Sequence, residues 1–483
     1  MHYKPSPRQL AKAARIEQWR ALKEAPEKRL LDIEQRLHGT IIRPGDPDYD
    51  KERQGGNPAY QRYPDVIFRC DAIDDVAEAL AYARENALPV VCRSGGHSYA
   101  TYCSKTAGVV INVSALNDVS IEPEARRARV GPGAQFDKLD RFLRRYGLHV
   151  PSPGGPSVAV AGFMQGGGYG FTSRQFGMNC DNVLAVRLML ADGREVVASA
   201  LENPELFWAI RGGTGSNFGV VLEVTYQLHA LADLWGFRLQ WKVEDAARVL
   251  HALQEGYTLA APDELGYLAG LVVDPTTQEP VVVMMGLFNG TAEQGRSVLA
   301  PLLKVASAPF VVDRTGPYHE LNTYVLTHPY AIPVEQEPRP FIIQSRYFAR
   351  PASLQDWEKV VEAYGRPPPD ASNFVCIEPY GGAIRRYPAG GNAFIHRDVL
   401  LDCFTSAFWS TRSGEEAAIT WMNRLMNDLL GHVGKRAYQN YPTPRLPEFQ
   451  DAYWDEETLK RLSRVKKDYD PDNLFRYEQS IPI

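Results

Sequence analysis

Long apolar runs are missing from this 483-residue chain. Spanning a bilayer takes about 20 predominantly apolar residues, so no transmembrane helix is expected. The first twenty residues, Met1 to Arg20, are polar and lack the apolar core of a signal peptide. Cytoplasmic residence is the expectation that follows. Cysteine is scarce: the six residues Cys70, Cys92, Cys103, Cys180, Cys376 and Cys403 form no C-x-x-C pair and no close cluster. That argues against a zinc centre and against a disulfide framework. An excess of charge of one sign is missing too. Lys and Arg total 53, Asp and Glu 58, and the net charge is −5. A nucleic-acid partner or a polybasic membrane contact would call for the opposite balance.

What is present is an ordinary globular composition, 44% hydrophobic and 23% charged, in a chain too long for one core. The stretch Val90 to Tyr102, VVCRSGGHSYATY, draws attention first. An apolar strand runs into Arg93, Ser94, Gly95 and Gly96, and His97 sits on the turn. Adjacent glycines let the backbone approach a ligand, and successive N–H groups of such a turn form an anion-binding nest. Taken alone, the pattern equally describes a structural histidine on a common turn.

Along the chain, residues 7 to 37 carry a helical apolar spacing interrupted at Pro26. From Pro64 short elements alternate. Val66 to Cys70 predicts a strand, Asp74 to Asn86 a helix, Leu88 to Cys92 and Val109 to Val113 strands, and Phe136, Leu139 and Phe142 mark another helix. Glycine is then densest, in Pro153-Gly-Gly-Pro and in Gly166-Gly-Gly-Tyr-Gly. So much side-chain-free backbone suits a broad planar ligand lying against the main chain. Val183 to Leu190 and Glu195 to Ala198 flank Asp192-Gly193, a hairpin signal. Asn203-Pro204 predicts a capped short helix. Beyond Leu231 the glycine clusters thin. Strands at Phe237 to Val243 and Pro280 to Phe288 alternate with amphipathic helices at Glu244 to Thr258, Thr291 to Val305, Leu354 to Tyr364 and Glu415 to Leu430. This predicts an α+β fold whose second part is an antiparallel sheet with helices on one face.

Arg93-Ser-Gly-Gly-His, Gly166-Gly-Gly-Tyr-Gly, Glu205-Leu-Phe-Trp-Ala-Ile-Arg-Gly-Gly, Asn217-Phe-Gly-Val-Val, Tyr438-Gln-Asn-Tyr and Asp470-Pro-Asp-Asn-Leu-Phe occur in that order, with Gln479-Ser-Ile behind them. Together they resemble the berberine-bridge-enzyme-like FAD-linked oxidases of the vanillyl-alcohol-oxidase, PCMH-type FAD-binding superfamily, over about residues 45 to 483. The resemblance implies a two-part organisation: a helical extension over 1–44, an FAD-binding domain over 45–231, a substrate domain over 232–434, and a return to the FAD domain over 435–483.

It also implies site residues. His97 stands where the family tethers the flavin, and a neutral imidazole is nucleophilic. Ser94, Gly95, Gly96 and Ser98 share its turn with Arg93. Gly155, Gly162, Gly166, Gly167, Gly168, Gly170, Gly219, Val220, Tyr438 and Asn440 complete the implied cofactor set. Gly155 replaces the cysteine that provides a second tether in many members, so a single histidyl link is expected; Cys180 lies in a different turn and reads as a buried small residue. Tyr441 resembles the family's base. With an ordinary phenol pKa near 10, it serves only if neighbours stabilise its phenolate. Tyr169 resembles an assisting tyrosine. Glu378 stands where some members carry an acidic base or a substrate ligand, and its alternative is a rim salt bridge to Arg385 or Arg386. His396 and Arg397 read as structural. Thr443 and Phe163 depart from the family pattern.

The implied activity is an FAD-linked oxidation of an alcohol or amine carbon of a small molecule, with hydride passing to flavin N5 and O₂ as electron acceptor. Oxidative cyclisation or desaturation uses the same parts. A non-catalytic flavin-binding protein is the alternative of another class, and His97 with Tyr438-Gln-Asn-Tyr argues against it.

Overall fold

The computed structural model describes residues 27–327, 339–365, 368–429 and 433–483. Expectations for residues before 27, including the break at Pro26, lie outside them. Three principal sheets organise the rest. In the first, Val66–Arg69, Val109–Asn112 and Val90–Arg93 run parallel, with Thr40–Ile42 antiparallel at the edge. Parallel neighbours need a crossover, and the helix Ile73–Glu85 supplies one of them. The carboxylate of buried Asp75 accepts the backbone N–H groups of His38, Gly39, Asp71 and Ala72, which fixes the chain entering that helix.

The second sheet is antiparallel, in the order Val119–Glu122, Arg127–Val130, Val220–Gln227, Val183–Met189, Glu195–Ser199. Its last two strands are joined at Asp192-Gly193, where Gly193 has φ +88°. The helix Pro204–Ile210 follows, but not as an Asn-capped one. Asn203 takes the left-handed conformation and its amide donates to the Val197 carbonyl at 2.7 Å instead.

The third sheet has seven antiparallel strands, in the order Phe310–Gly316, Leu234–Lys242, Pro280–Phe288, Leu265–Val273, Phe374–Pro379, Leu401–Phe408, Phe341–Tyr347. Side chains alternate between its faces. One face packs Trp235, Phe237, Tyr267, Ala269, Ile377 and Cys403 beneath the helices Ala246–Tyr257, Ala292–Val305, Leu354–Tyr364 and Arg412–Leu429. The other presents Leu268, Phe374, Cys376, Phe404 and Phe408 toward the glycine-rich part of the chain.

The C-terminal segment returns to the first sheet. Val90 bridges to Phe475, and Val90 N–H donates to the Leu474 carbonyl at 2.8 Å. Lys466, fully buried, pairs with Asp470 at 2.8 Å and donates to the Asn217 carbonyl at 2.8 Å and to that of Phe475. Asp470 in turn accepts the N–H groups of Leu474 and Phe475. No helix of the described residues is long and apolar enough to cross a membrane.

Candidate active site

A cavity of about 490 Å³ opens between the glycine-rich turns and the free face of the seven-stranded sheet. The turn from Ser94 to Ser98, leaving the strand Val90–Arg93, forms one wall. Gly96 has φ +75°, which glycine adopts without strain. Among the described residues, the backbone N–H groups of Gly95, Gly96 and His97 find no protein acceptor. His97 is half-buried, with its Nε2 2.9 Å from Ser157 Oγ. Burial holds its pKa below the ordinary imidazole value, so the ring is neutral at pH 7.

Arg93 takes no part in lining this cavity. Its guanidinium donates to the Glu52 carbonyl and faces a separate polar cleft behind the turn. Gly155, Gly162, Gly170, Tyr438 and Asn440 do line the cavity, whereas Gly166, Gly167, Gly168, Gly219 and Val220 stand behind its lining. The glycine run has a packing reason. A Cβ at Gly166 would fall 2.1 Å from Asn440 Oδ1, and one at Gly168 2.7 Å from the Phe163 ring. Across this seam the Tyr438 hydroxyl accepts the N–H groups of Gly168 and Tyr169 at 3.0 and 2.9 Å. Asn440 Nδ2 donates to the Phe163 carbonyl at 2.9 Å. The segment Tyr438 to Tyr441 is thereby locked to the glycine turn.

That lock sets Tyr441 against the sheet. Its hydroxyl donates to Glu378 Oε1 at 3.0 Å. The rim salt bridge that Glu378 could have made is absent, since Arg386 pairs with Asp263. Glu378 is buried and its Oε2 has no hydrogen-bond partner. Directly opposite it in the sheet register stands Asp402, also fully buried. Asp402 accepts Ser345 Oγ at 2.6 Å, and its Oδ2 likewise has no partner. Burial, and then the charge of Asp402, holds the Glu378 carboxyl well above the usual carboxylate range. Burial pushes Asp402 up to about 7. The environment of Tyr441 does not stabilise a phenolate. Burial and the adjacent Glu378 both raise its pKa well above that of a free phenol. The Tyr169 hydroxyl donates to the Pro379 carbonyl at 3.0 Å, and its ring stacks on Tyr380 at 5.2 Å. It braces the end of the Glu378 strand.

Cys180 is fully buried beside Asp181 and Asn392, behind the lining. Cys92 and Cys103 do reach the cavity. The His396 ring meets that of Tyr347 at 4.4 Å in a tilted contact and Arg397 pairs with Asp181, both structural contacts. Thr214, Gly215, Ser216 and Tyr477 also line the cavity, as does Gln479 of the Gln479-Ser-Ile motif. The Arg211-Gly-Gly-Thr-Gly-Ser run carries the signal for the first three. Thr214 and Ser216 have positive φ, 66° and 55°, which few non-glycine residues adopt. Among the described residues no group of three or more metal-ligating side chains is arranged to hold an ion.

A family model described as "FAD binding domain" matches residues 64–199, and one described as "Berberine and berberine like" matches residues 437–482. The chain is 30% identical over 453 residues to the uncharacterised FAD-linked oxidoreductase YvdP of Bacillus subtilis, covering 92% of this chain and 98% of that one. The chain belongs to the berberine-bridge-enzyme-like FAD-linked oxidoreductases. This oxidoreductase is also similar to the carbohydrate oxidase of Microdochium nivale, at 28% identity over 91% of this chain and 92% of that one. Among solved structures it resembles the wild-type BBE-like 1 protein of Physcomitrella patens, with a TM-score of 0.82, 26% identity, and coverage of 94% and 99%.

The residues of this BBE-like oxidoreductase fit FAD. The unpaired amides of Gly95, Gly96 and His97 offer a seat for a pyrophosphate. A Cβ at Gly162 would meet nothing nearer than 3.9 Å. Protein packing therefore does not demand glycine there; the room that a side chain would take belongs to the cavity. Ser94, Ser98, Thr214, Ser216, Tyr477 and Gln479 supply polar walls around it.

Proposed function

We propose that this enzyme oxidises a carbon bearing a hydroxyl or amino group, with Tyr441 and Glu378 acting together as the base and O₂ as the electron acceptor. The observation that carries this reading is the Tyr441 Oη–Glu378 Oε1 hydrogen bond of 3.0 Å at the cavity wall. Bound FAD supplies the acceptor for the hydride. Tyr441 alone is a poor base, because no neighbour favours its phenolate. Joined to Glu378 it takes the substrate proton on its oxygen as its own proton moves to Oε1, so no free phenolate is required. Tyr169 and Tyr438 hold the two partners in register through Pro379 and the glycine turn. In Tyr441→Phe the relay atom is gone. Anaerobic flavin reduction is expected to slow by about 10²-fold or more with unchanged flavin content. An undiminished rate sinks the relay.

His97 is the residue we assign to a single covalent flavin link. In the tautomer whose Nε2–H donates to Ser157, the neutral ring keeps the lone pair on Nδ1. Gly155 offers no sulfur, and Cys180 is buried behind the cavity lining. Acid precipitation is expected to leave the yellow colour in the wild-type pellet and to release it from His97→Ala. Colour retained by His97→Ala would point to Cys92 or Cys103 instead.

A further inference from the structure

Behind the histidine turn, outside the cavity lining, runs the segment Gly55 to Asn57. Its Gly56 N–H donates to the Gly96 carbonyl at 3.1 Å. A trans peptide sets its C=O and N–H on opposite sides, so this bond turns the His97 N–H away from the segment. Asn57, 1% exposed, reaches further. Its Nδ2 donates to the carbonyls of Tyr99 at 2.7 Å and Phe341 at 3.0 Å. Its Oδ1 accepts the N–H groups of Ala59 at 3.0 Å and Phe341 at 3.4 Å. A primary amide has two donor hydrogens and two acceptor lone pairs, and all four are engaged. Turned over, the amide would set its oxygen against two carbonyls. Among the described strands, Phe341–Tyr347 is an outermost one of the seven-stranded sheet. The Trp409 N–H donates to the Pro340 carbonyl, so Phe341 and Phe408 face each other as a non-bonded pair and the N–H and C=O of Phe341 point out of the sheet edge. The Asn57 side chain pairs both of them, as a further strand would.

We propose that Asn57 is a positioning residue for the reaction: by tying Tyr99 to Phe341 it holds the Tyr441 hydroxyl on Glu378. The proposal rests on Tyr441 and Glu378 being the base. Aromatic rings make the connection. The Tyr99 ring meets Phe341 edge-on at 5.5 Å and Tyr441 at 5.7 Å. Tyr441 also meets Phe404 and Tyr438, each at 4.9 Å. Phe404 belongs to the sheet and Tyr438 to the C-terminal return that the glycine turn locks in place. Of these three rings Tyr99 alone is carried by the histidine turn, and Asn57 ties that turn to the sheet edge. Without the amide, two carbonyls and the Phe341 N–H lose their partners in space that a buried side chain had filled. The turn and the strand relieve this by parting to admit water. The Tyr99 ring then leaves its seat against Tyr441, and the Tyr441 hydroxyl is no longer held on Glu378 Oε1. A misplacement of about 1 Å in a reacting group costs about 10²-fold in rate.

Fluorine NMR of the flavin-loaded full-length enzyme, labelled with fluorotyrosine, tests this without a substrate. The Tyr441 resonance is the one missing from Tyr441→Phe. Glu378→Gln shows how far that resonance moves when its hydrogen-bond partner is replaced. In Asn57→Ala, adding Glu378→Gln is expected to move it far less than in the parent, because the hydroxyl has already left the carboxyl. Tyr99→Leu keeps the bonds of the Asn57 amide and removes the ring that transmits them, and it is expected to blunt the response in the same way. Thr101→Val removes the hydroxyl that donates to the Asn57 carbonyl at 3.3 Å and spares the side-chain amide, so the full response should remain. Flavin content is expected to stay unchanged throughout. A full response to Glu378→Gln in both Asn57→Ala and Tyr99→Leu, with only the melting temperature lowered, makes Asn57 a structural residue and overturns the proposal. If Asn57→Ala does not fold, the response in Tyr99→Leu decides alone. A Tyr441 resonance that ignores Glu378→Gln in the parent is a different failure: there is then no hydroxyl–carboxyl bond to position, and the base falls together with the proposal.

Discussion

Glu378→Gln is expected to slow anaerobic flavin reduction by about 10²–10⁴-fold while flavin stays bound. Glutamine keeps the shape and can still hydrogen-bond Tyr441, but it cannot take a proton. In the parent enzyme the protonated carboxyl is equally inert as an acceptor. Burial and Asp402 raise its pKa well above the ordinary carboxylate value. Reduction should therefore rise with pH through that raised pKa, and the limb should vanish in Glu378→Gln. Asp402→Asn removes the neighbouring charge, so its limb should move to lower pH. Stability runs the other way. A carboxyl whose pKa is higher folded than unfolded contributes stability that is fully present below its unfolded pKa and lost as pH rises through the folded one. The decline in melting temperature as pH rises from the ordinary carboxylate range through the raised pKa should be shallower in both variants. Stopped-flow pH profiles decide the kinetic part, and a Glu378→Gln enzyme as fast as its parent removes Glu378 from the chemistry.

Asp470→Ala is expected to cost about 3–5 kcal/mol. Lys466 and Asp470 are both fully enclosed, so deleting the carboxylate leaves an ammonium in the interior with carbonyls alone for partners. The same change strips the acceptor from the N–H groups of Leu474 and Phe475. These residues anchor the segment that carries Tyr477 and Gln479 into the cavity. Flavin retention should fall with stability. Lys466→Met combined with Asp470→Leu leaves no charge behind and should unfold much less readily than either single variant. Denaturant titration of the four proteins measures the coupling. Additive losses would mean that the pair is not the anchor described.

Much of the architecture was legible because turn chemistry punctuates it. Gly193, Gly96 and the prolines around position 153 separate elements whose apolar periods are clean. The strand Leu265–Val273 is harder to see, because Gly266 and Gly270 dilute its pattern. Both glycines are seats for carbonyl oxygens, those of Phe171 and Val375. The glycine run at 166–168 is legible as a cluster, but its packing reason is not: it admits Asn440, Phe394 and Phe163. Tyr441 and Glu378 were each legible as candidates. Their union was not, since 63 positions separate them and only the sheet register brings Asp402 behind them. The aromatic lining of Tyr99, Phe341, Phe374, Phe404, Phe408 and Tyr441 draws on the histidine turn, three strands and the C-terminal return, and no local pattern announces it. The requirement for a stabilised phenolate failed for a physical reason: the nearest charges are acidic.

The bridge between Val90 and Phe475 has a consequence for biosynthesis. A strand made early is completed by Phe475, a residue made far later. Until the segment from Tyr453 to Gln479 has been made and packed, the cavity lacks the walls from Tyr453, Tyr477 and Gln479. Loading of the cofactor into its finished seat waits for that segment, and until then the half-built pocket keeps its aromatic face uncovered.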